Sequence, residues 1–374
     1  MSLTAASRAR LRALWIGRPT DEIAMGQTRK LNAILLTAFL WAAAEAGAQD
    51  PSLSRPMFLD ETPLTLKISA PFRELARDDD ERPEYDAVVE YTDPDGANGS
   101  LDIEVRARGR FRRVNCARPP LSLKFSPDAA AATVFAGQDR LKLVTLCRES
   151  DNYRDYLTKE FLIYRLFNEL TNRSFRVRWA TVEYVDPEAR RPRPTIEPAF
   201  LIEADWEVAE RLGMEVIETE KLEIDSLDTQ YTALYALFQF MIGNTDWSVR
   251  DEPPGDLCCH NGKVIRNSGG PSIVLPYDFD NSGLVSAAYA VPNEILLIRF
   301  VTQRFYRGLC AMNGGLNAAI LHIDQRRERL IALLDDESLS ERSRRRALDY
   351  LNDFFAIIND RERRQELIYE RCLE

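Results

Sequence analysis

The sequence predicts an α+β protein of two lobes, with a β-rich first lobe over residues 49–203 and a mainly helical second lobe over residues 204–374. Residues 60–203 contain short β-branched and aromatic runs separated by turn residues, a pattern typical of strands. One long helical segment, Tyr153 to Leu170, interrupts them. After residue 205 the apolar residues recur mainly at helical spacing. Apolar residues make up 45% and charged residues 29% of the chain, as is ordinary for a globular protein with a sizeable core.

The individual elements follow from local patterns. In the first lobe, Leu121–Phe125 and Arg140–Leu146 have strand-like composition, and each carries a lysine. In the second lobe, two short strands are expected around Val264 and Ile273, on either side of a turn. The helices predicted there are Trp206–Leu212, Thr229–Ile242, Glu294–Arg307, Leu316–Leu334 and Glu341–Ile358.

Residues 1–48 are predicted to lie outside the folded part. The short apolar run from Asn32 to Ala48 follows Arg29-Lys30 and ends in Ala46-Gly47-Ala48, which is the pattern of a secretory signal peptide cleaved near Ala48. This signal begins naturally at Met25, so residues 1–24 are interpreted as an over-extended start. The run is shorter than the roughly 20 residues that a membrane-spanning helix needs. The mature chain is therefore expected to be exported to the periplasm or the extracellular space, with no membrane span.

All six cysteines follow this segment, and export makes disulfides the expected state of an even number of thiols. Cys116 and Cys147 flank the same predicted sheet, and either Cys258 or Cys259 could reach Cys310. Adjacent cysteines such as Cys258 and Cys259 rarely bond to each other. The formal net charge of -10 argues against a nucleic-acid binder, because phosphate contacts need clustered positive charge.

The segments that carry chemistry are Gly243-Asn-Thr-Asp-Trp247, His260-Asn261 and Pro276-Tyr-Asp-Phe-Asp280. Asp246 follows an apolar helix and Asp278 follows an apolar strand, so both carboxylates lie at element ends, where catalytic groups are common. A phosphoryl-transfer site needs few protein groups: a carboxylate to orient the nucleophile, acidic or amide ligands for Mg²⁺ and a lysine for the phosphates. These residue types occur here in a suitable order.

These three segments resemble the catalytic stretch of CotH-type kinases, which are atypical, protein-kinase-like enzymes, and more remotely that of HipA-like kinases. The resemblance covers residues 100 to 310. It implies a two-lobed protein-kinase-like fold, ATP and Mg²⁺ (or Mn²⁺) as cofactors, and a protein Ser/Thr hydroxyl as the phosphate acceptor. Further segments similar in order to that family are Val105–Gly109, Leu121–Phe125, Leu141–Leu143, Arg154-Asp155 and Phe200–Glu203.

By this resemblance, Asp246 is the catalytic aspartate that receives or steers the hydroxyl proton, and Asp278 is the metal-binding aspartate. Asn261 would be the second metal ligand, although it follows Asp246 at a longer spacing than the H-R-D-x-x-x-x-N pattern of protein kinases. Asp280 stands where kinases have the glycine of D-F-G. It is either a further metal ligand or a cap for the turn that follows.

The phosphate-contacting lysine is Lys142 or Lys124, with Lys142 preferred because Glu160 on the following helix is spaced like the glutamate that pairs with this lysine in kinases. Glu203 would lie at a hinge whose backbone meets the adenine. Arg108, in the arginine-rich stretch from Arg106 to Arg113, could contact nucleotide phosphate. That stretch could equally be a solvated edge strand.

Other functions fit the sequence less well. A calcium loop beginning at Asp278 fails because Tyr289 stands where the bidentate glutamate belongs. Two histidines are too few for a multi-histidine metal centre. Asp246 and Asp278 could serve as the two carboxylates of a glycoside hydrolase. The main alternative is an inactive kinase-fold scaffold or a secreted binding module, and the scarcity of ATP outside the cell favours it.

Overall fold

The strands of the first half form a barrel rather than the small lobe of a kinase. The computed structural model of the protein describes residues 55–77, 83–93, 96–109, 111–191, 193–250 and 256–374. The predicted signal peptide and over-extended start, residues 1–48, lie outside this range. The barrel strands are β1 (Leu64–Ser69), β2 (Tyr85–Thr92), β3 (Asn98–Ala107), β4 (Leu121–Phe125), β5 (Arg140–Thr145), β6 (Val177–Val185) and β7 (Thr195–Ile202).

The barrel closes because β1 has a partner on each side. It pairs antiparallel with β2 and parallel with β6, in a register that runs from Leu64 opposite Ala180 to Ser69 opposite Val185. The strand order is β1-β2-β3-β4-β5-β7-β6, and the last strand returns to the first. The expected two-lobed protein-kinase-like fold is therefore wrong: the structure has a closed, seven-stranded mixed barrel, with the helices described below.

The barrel interior follows from alternation along each strand. In β1, Leu64, Leu66 and Ile68 are buried while the intervening residues are exposed or half-buried. Side chains point to alternate faces of a strand, so every second residue enters the core. Phe125 and Phe135 stack inside this core, with ring centroids 4.7 Å apart.

The remaining elements are ten α-helices of the described residues and a second sheet. The sheet has three strands, β8 (Glu215–Val216), β9 (Gly262–Arg266) and β10 (Ser272–Pro276), in the order β10-β9-β8. The helices are α1 (Phe72–Leu75), α2 (Phe111–Asn115), α3 (Pro127–Ala130), α4 (Asp151–Leu170), α5 (Asp205–Arg211), α6 (Thr229–Ile242), α7 (Asn313–Gln325), α8 (Arg327–Leu334), α9 (Glu341–Asn359) and α10 (Arg361–Leu367). Short 3-10 turns lie at Pro56–Phe58, Ile224–Ser226, Glu294–Leu296, Cys310–Met312 and Tyr369–Arg371.

Helix α6 is buried over nearly its whole length and sets the position of the loop that follows it. It begins at the N-cap Asp228, whose carboxylate accepts a hydrogen bond from Tyr231 N–H at 2.9 Å. It ends at Gly243, which has a φ of 65°, a left-handed conformation that suits glycine. A Cβ at Gly243 would also lie 1.9 Å from the Tyr350 hydroxyl oxygen, so a larger residue does not fit. The chain therefore leaves α6 in a fixed direction, toward Asp246.

Most predicted helices are present with small shifts at their ends, but two differ. The predicted helix Leu316–Leu334 is divided into α7 and α8 at Arg326. The predicted helix Glu294–Arg307 is wrong, since only the single 3-10 turn Glu294–Leu296 forms there. Apolar residues in this segment are abundant, but helical spacing stabilises a helix only where the apolar face packs against a neighbour, and Ile295, Leu297 and Phe300 are exposed.

Three disulfides cross-link the described part of the chain. Cys116 bonds to Cys147, as their position beside one sheet predicts, and this bond joins α2 to the end of β5. The expected link from Cys258 or Cys259 to Cys310 is wrong, because Cys258 bonds to Cys259 and Cys310 bonds to Cys372. Disulfides fit an extracellular setting. Among the described helices, none has the length and apolar content required to cross a membrane.

Candidate functional site

A cleft of about 1030 Å³ opens where β3, β4, β5 and α4 face the loops after α6 and β10. Seven of the residues singled out from the sequence line it: Arg108, Lys142, Glu160, Asp246, Asn261, Asp278 and Asp280. Lys124 and Glu203 do not line it. The structure therefore brings together residues that lie up to 172 positions apart (280 − 108) in the sequence.

The two residues that directly precede β9, His260 and Asn261, hold Asp246 in this cleft. His260 Nε2 lies 2.7 Å from Asp246 Oδ1, and the Asn261 amide donates to Asp246 Oδ2 at 3.2 Å and to its backbone oxygen at 2.8 Å. Asn244 Oδ1 accepts the Asp246 N–H at 2.9 Å. Burial alone would raise the pKa of Asp246, but hydrogen bonds from His260, Asn281 and Asn261 outweigh it and lower that pKa. Asp246 is thus an ionised carboxylate, fixed in orientation and still partly accessible.

His260 is a member of the site to which the sequence assigned no role. Taken alone, one of two histidines in the chain is more often structural than catalytic. The signal that could have identified it is its position next to Asn261. A side chain adjacent to Asn261 and on the same turn is close enough to reach the Asp246 carboxylate as well.

Asp278 is half-buried just after β10, in a left-handed conformation with a φ of 62°. Its N–H donates to the Tyr164 hydroxyl at 3.0 Å, which ties the loop to α4. Its carboxylate accepts no hydrogen bond from the described residues. Burial, reinforced by the negative charge of Asp280, raises the pKa of Asp278 to about 6. Arg112 and Arg108 oppose this rise without donating to the carboxylate, so Asp278 can still accept a cation or a donor from a ligand.

Arg112 on α2 connects two of the predicted residues and was not singled out from the sequence. Its Nε donates to Asp280 at 2.8 Å and its terminal nitrogen donates to Glu160 at 2.5 Å. Burial would lower the pKa of Arg112, but the carboxylates of Asp280 and Glu160 raise it above its ordinary value. The expected pairing of Glu160 with Lys142 is therefore not formed, because Arg112 takes Glu160.

Lys142 lies in the cleft without a carboxylate partner. Its ammonium lies 5.3 Å from the ring centroid of Tyr277 and 5.7 Å from that of Phe175, and it forms no ion pair with any described residue. Burial lowers the pKa of Lys142 to about 8. Arg108 is similar, since its Nε is buried without a hydrogen-bond partner in the part of the chain that the structure describes. The Lys142 ammonium and Arg108 Nε therefore leave donors for an anionic ligand.

Lys124, the other lysine considered, is engaged elsewhere. On the outer face of β4 it forms ion pairs with Glu104 and, at 3.2 Å, with Glu84, and its side chain is 39% exposed. Strand register explains this, because Lys142 pairs with Ser122 and Lys124 pairs with Arg140, which places the two lysines on the same face of the sheet but at different positions along it. Of the two lysines that the sequence left open, only Lys142 can contact a molecule in the cleft.

Glu203 is a structural residue. Its carboxylate accepts from Arg211 Nε at 2.8 Å and from Arg176 N–H at 2.9 Å, and it is buried. Its own N–H donates to Arg176 O at 2.9 Å. Its backbone N–H is therefore not available to adenine, and the predicted contact of its backbone with adenine stays a prediction that depends on its carbonyl group; the neighbouring residues Ile202 and Ala204 line the cleft.

The acidic side chains of the cleft are next compared with what a bound divalent cation requires. The described residues contain no group of three or more His, Cys, Asp or Glu side chains that could hold a metal ion. Mg²⁺ is commonly bound by only one or two carboxylates together with phosphate oxygens and water. Asp278 fits such a role, since its carboxylate is unpaired and lies near a second acidic group, Asp280. Asp280 is shared with Arg112, and the Asn261 amide is bound to Asp246 through its nitrogen.

Comparison of the chain with protein-family models and with curated proteins gave no match. The similarity of the three segments around Asp246, Asn261 and Asp278 to CotH-type kinases stays a prediction. The assignment of function therefore depends on the chemistry of the cleft.

Proposed function

We propose that the protein is an exported phosphotransferase that moves the γ-phosphoryl group of ATP to a hydroxyl group, with a protein Ser/Thr side chain as the acceptor. One observation carries this proposal: a single cleft contains an ionised, oriented carboxylate, a half-buried aspartate whose carboxylate accepts no hydrogen bond from the described residues, and two cations, Lys142 and Arg108, for which no ion pair is found within the described residues. Phosphoryl transfer requires positioning and charge stabilisation more than covalent chemistry by the protein. These four groups supply both.

Asp246 would handle the proton of the acceptor. Its carboxylate is fixed by His260 and Asn261, and a hydroxyl that hydrogen-bonds to it is oriented for attack on the γ-phosphorus. As the new bond from the hydroxyl oxygen to phosphorus forms, the bond from phosphorus to the β,γ-bridging oxygen breaks and ADP leaves. The hydroxyl proton passes to Asp246. A lowered pKa suits a group that must be ionised before the acceptor binds.

The other residues would bind the nucleotide. Lys142 and Arg108 would donate to phosphate oxygens, because neither forms an ion pair with a carboxylate of the described residues. Asp278, with Asp280 beside it, would hold Mg²⁺. When bound, this ion neutralises phosphate charge and orients the β- and γ-phosphates. Arg112 would keep Asp280 and Glu160 in place, so that the acidic side of the cleft does not collapse on the cations.

The direct test is the binding of Mg²⁺·ATP to the chain from Gln49 onward, measured by calorimetry. We expect the wild type to bind and Asp278→Ala to lose most of the Mg²⁺-dependent affinity, because the proposed ligand carboxylate is removed. Asp139→Ala is the matched control, since Asp139 lines the same cleft, is exposed and has no proposed role. No binding by the wild type would overturn the proposal and favour a secreted binding module.

A second prediction concerns pH. Because burial lowers the pKa of Lys142 to about 8 and raises that of Asp278 to about 6, we expect the Kd for ATP to be constant between about pH 7 and pH 8 and to rise by up to about tenfold per pH unit above that range. The protonated ammonium binds phosphate and the neutral amine does not. Titrating Lys142→Arg by the same calorimetry provides the control, because arginine stays charged throughout. Identical pH profiles for the wild type and Lys142→Arg would contradict the contact between Lys142 and phosphate.

A further inference from the structure

The segment 291–302, called here the apolar loop, presents large apolar side chains to solvent beside the cleft. Ile295 is 90% exposed, Leu297 87%, Phe300 69% and Val291 60%. Exposed apolar residues that occur singly are common, but a run within ten residues marks an interaction surface. The apolar loop begins in the cleft wall, because Val291 lines the cleft.

Both ends of the apolar loop are attached to the residues around Asp246. Near its start, Val291 N–H donates to Asn281 Oδ1 at 3.0 Å, and the Asn293 amide donates to the backbone oxygen of Thr245 at 3.3 Å. Near its end, Val301 O lies 2.8 Å from the position of a Cβ on Gly283, so the chain packs closely against that glycine. Gly283 N–H in turn donates to Gly243 O at 3.0 Å. The exposed side chains are thus held at a defined place relative to Asp246.

The backbone of the apolar loop also has an unfavourable conformation at its centre. Leu297 has a φ of 54°, a left-handed conformation that is uncommon for residues other than glycine, asparagine and aspartate. The same residue has an almost fully exposed side chain. The fold gains no buried contact from Leu297 in return for this conformation. Strained residues of this kind cluster at sites that bind other molecules.

We infer that the apolar loop is the docking surface for a polypeptide acceptor, which lays apolar side chains on Ile295, Leu297 and Phe300 while its hydroxyl enters the cleft. This inference rests on the proposed phosphotransferase function and adds the surface that would bind its polypeptide acceptor. Exposed Phe111 and Leu257 also line the cleft and add apolar surface at its mouth.

The charges of the apolar loop favour a polypeptide over other ligands. Its charged residues are one acid, Glu294, and one base, Arg299, and both are exposed. Binding to anionic lipid headgroups requires a cluster of basic residues. Recognition of a sugar requires an array of hydrogen-bonding groups beside the aromatic ones. A surface of aliphatic and aromatic side chains without net charge matches apolar side chains that flank a serine or threonine.

The inference is tested with two synthetic peptides that each contain one serine, flanked by leucine and phenylalanine in one peptide and by asparagine and glutamine in the other. Binding is measured by fluorescence anisotropy and phosphate transfer by radiolabel. We expect the wild type to prefer the apolar-flanked peptide and the double variant Ile295→Asn/Leu297→Asn to bind that peptide at least tenfold more weakly. The KM for this peptide should rise by the same factor, with kcat and the Kd for ATP unchanged.

The two substitutions should not disturb folding, so that any loss of peptide binding can be attributed to the surface. Asparagine tolerates the left-handed conformation at position 297 better than leucine does, and both positions are exposed. Ile196→Asn is the matched control, since Ile196 is 66% exposed on barrel strand β7 and outside the cleft lining. It should leave peptide binding and KM unchanged.

The outcomes separate this inference from the proposed function. Equal phosphorylation of the apolar-flanked peptide by the wild type and the double variant would overturn the docking surface and leave the phosphotransferase intact. Peptide binding that the double variant loses, in a protein that does not bind ATP, would support the surface and overturn the enzyme. If the double variant instead turns a dimer into a monomer, or abolishes binding to anionic vesicles, the polypeptide acceptor is wrong and a second copy or a lipid is the occupant.

Discussion

Asp246→Asn is expected to lower the rate of phosphate transfer by about 10²–10⁴-fold and to leave the Kd for Mg²⁺·ATP within about twofold of the wild type. The amide has the shape of the carboxylate but cannot take a proton from the acceptor. Nucleotide binding is retained because the proposed phosphate and metal contacts come from Lys142, Arg108 and Asp278, not from Asp246. Single-turnover transfer and calorimetry on the same preparation measure the two quantities.

The control for Asp246→Asn is Asp139→Asn, which removes a carboxylate from the same cleft at a position with no proposed role. It should retain wild-type transfer. His260→Gln should have a smaller effect on transfer than Asp246→Asn, because it removes one of the hydrogen bonds that orient the carboxylate and keep it ionised. Loss of ATP binding together with transfer in Asp246→Asn would contradict its assignment as the proton acceptor and make it a nucleotide ligand.

Features of the fold that depend on neighbouring residues could be predicted from the sequence. Helix α6 was expected at Thr229–Ile242 and is observed with the same bounds, because its apolar run is followed by Gly243 and because an aspartate precedes it as N-cap. The strands around Val264 and Ile273 were also expected, and they form β9 and β10. In each case the signal lies within a few residues of the element.

The closure of the barrel could not be predicted in this way. It depends on the parallel pairing of β1 with β6, whose partners Leu64 and Ala180 lie 116 positions apart (180 − 64). Period-2 alternation shows that a segment is a strand with one buried face, but it does not identify the neighbouring strand. An open sheet and a closed barrel therefore produce the same local pattern.

The site was predicted in part for a similar reason. Asp246 and Asp278 follow element ends and Asn261 immediately precedes β9, so their residue types and positions were informative. Arg112 lies in an arginine-rich stretch with many equivalent side chains, and only the fold shows that it meets Glu160, 48 positions away, and Asp280, 168 positions away. Ion pairs over such separations leave no local signal. The buried ion pair of Glu203 with Arg211 on α5 was likewise not foreseen, because a pair of charges eight residues apart is usually solvent-exposed.

Glu203→Ala is expected to lower the free energy of unfolding by about 3–5 kcal/mol, the largest stability effect predicted for a single substitution in this chain. Arg211 is bound to Glu203 through Nε at 2.8 Å and through a terminal nitrogen at 3.1 Å, and both side chains are buried. Removing the carboxylate leaves the guanidinium buried without its counter-ion and also removes an acceptor from Arg176 N–H. Urea unfolding of the wild type and the variant, with the disulfides intact, measures the difference.

Two further variants test whether the unpaired buried charge causes the loss of stability. Glu203→Leu combined with Arg211→Leu should recover much of the lost stability, because no charge is then left unpaired in the interior. Glu90→Ala should leave stability nearly unchanged, since its ion pair with Lys67 lies in solvent. If Glu203→Ala kept wild-type stability but weakened ATP binding, the contacts with Arg211 would be incidental and Glu203 would belong to the nucleotide site. A buried ion pair beside Ile202 and Ala204 instead makes Glu203 a support that holds this wall of the cleft in place.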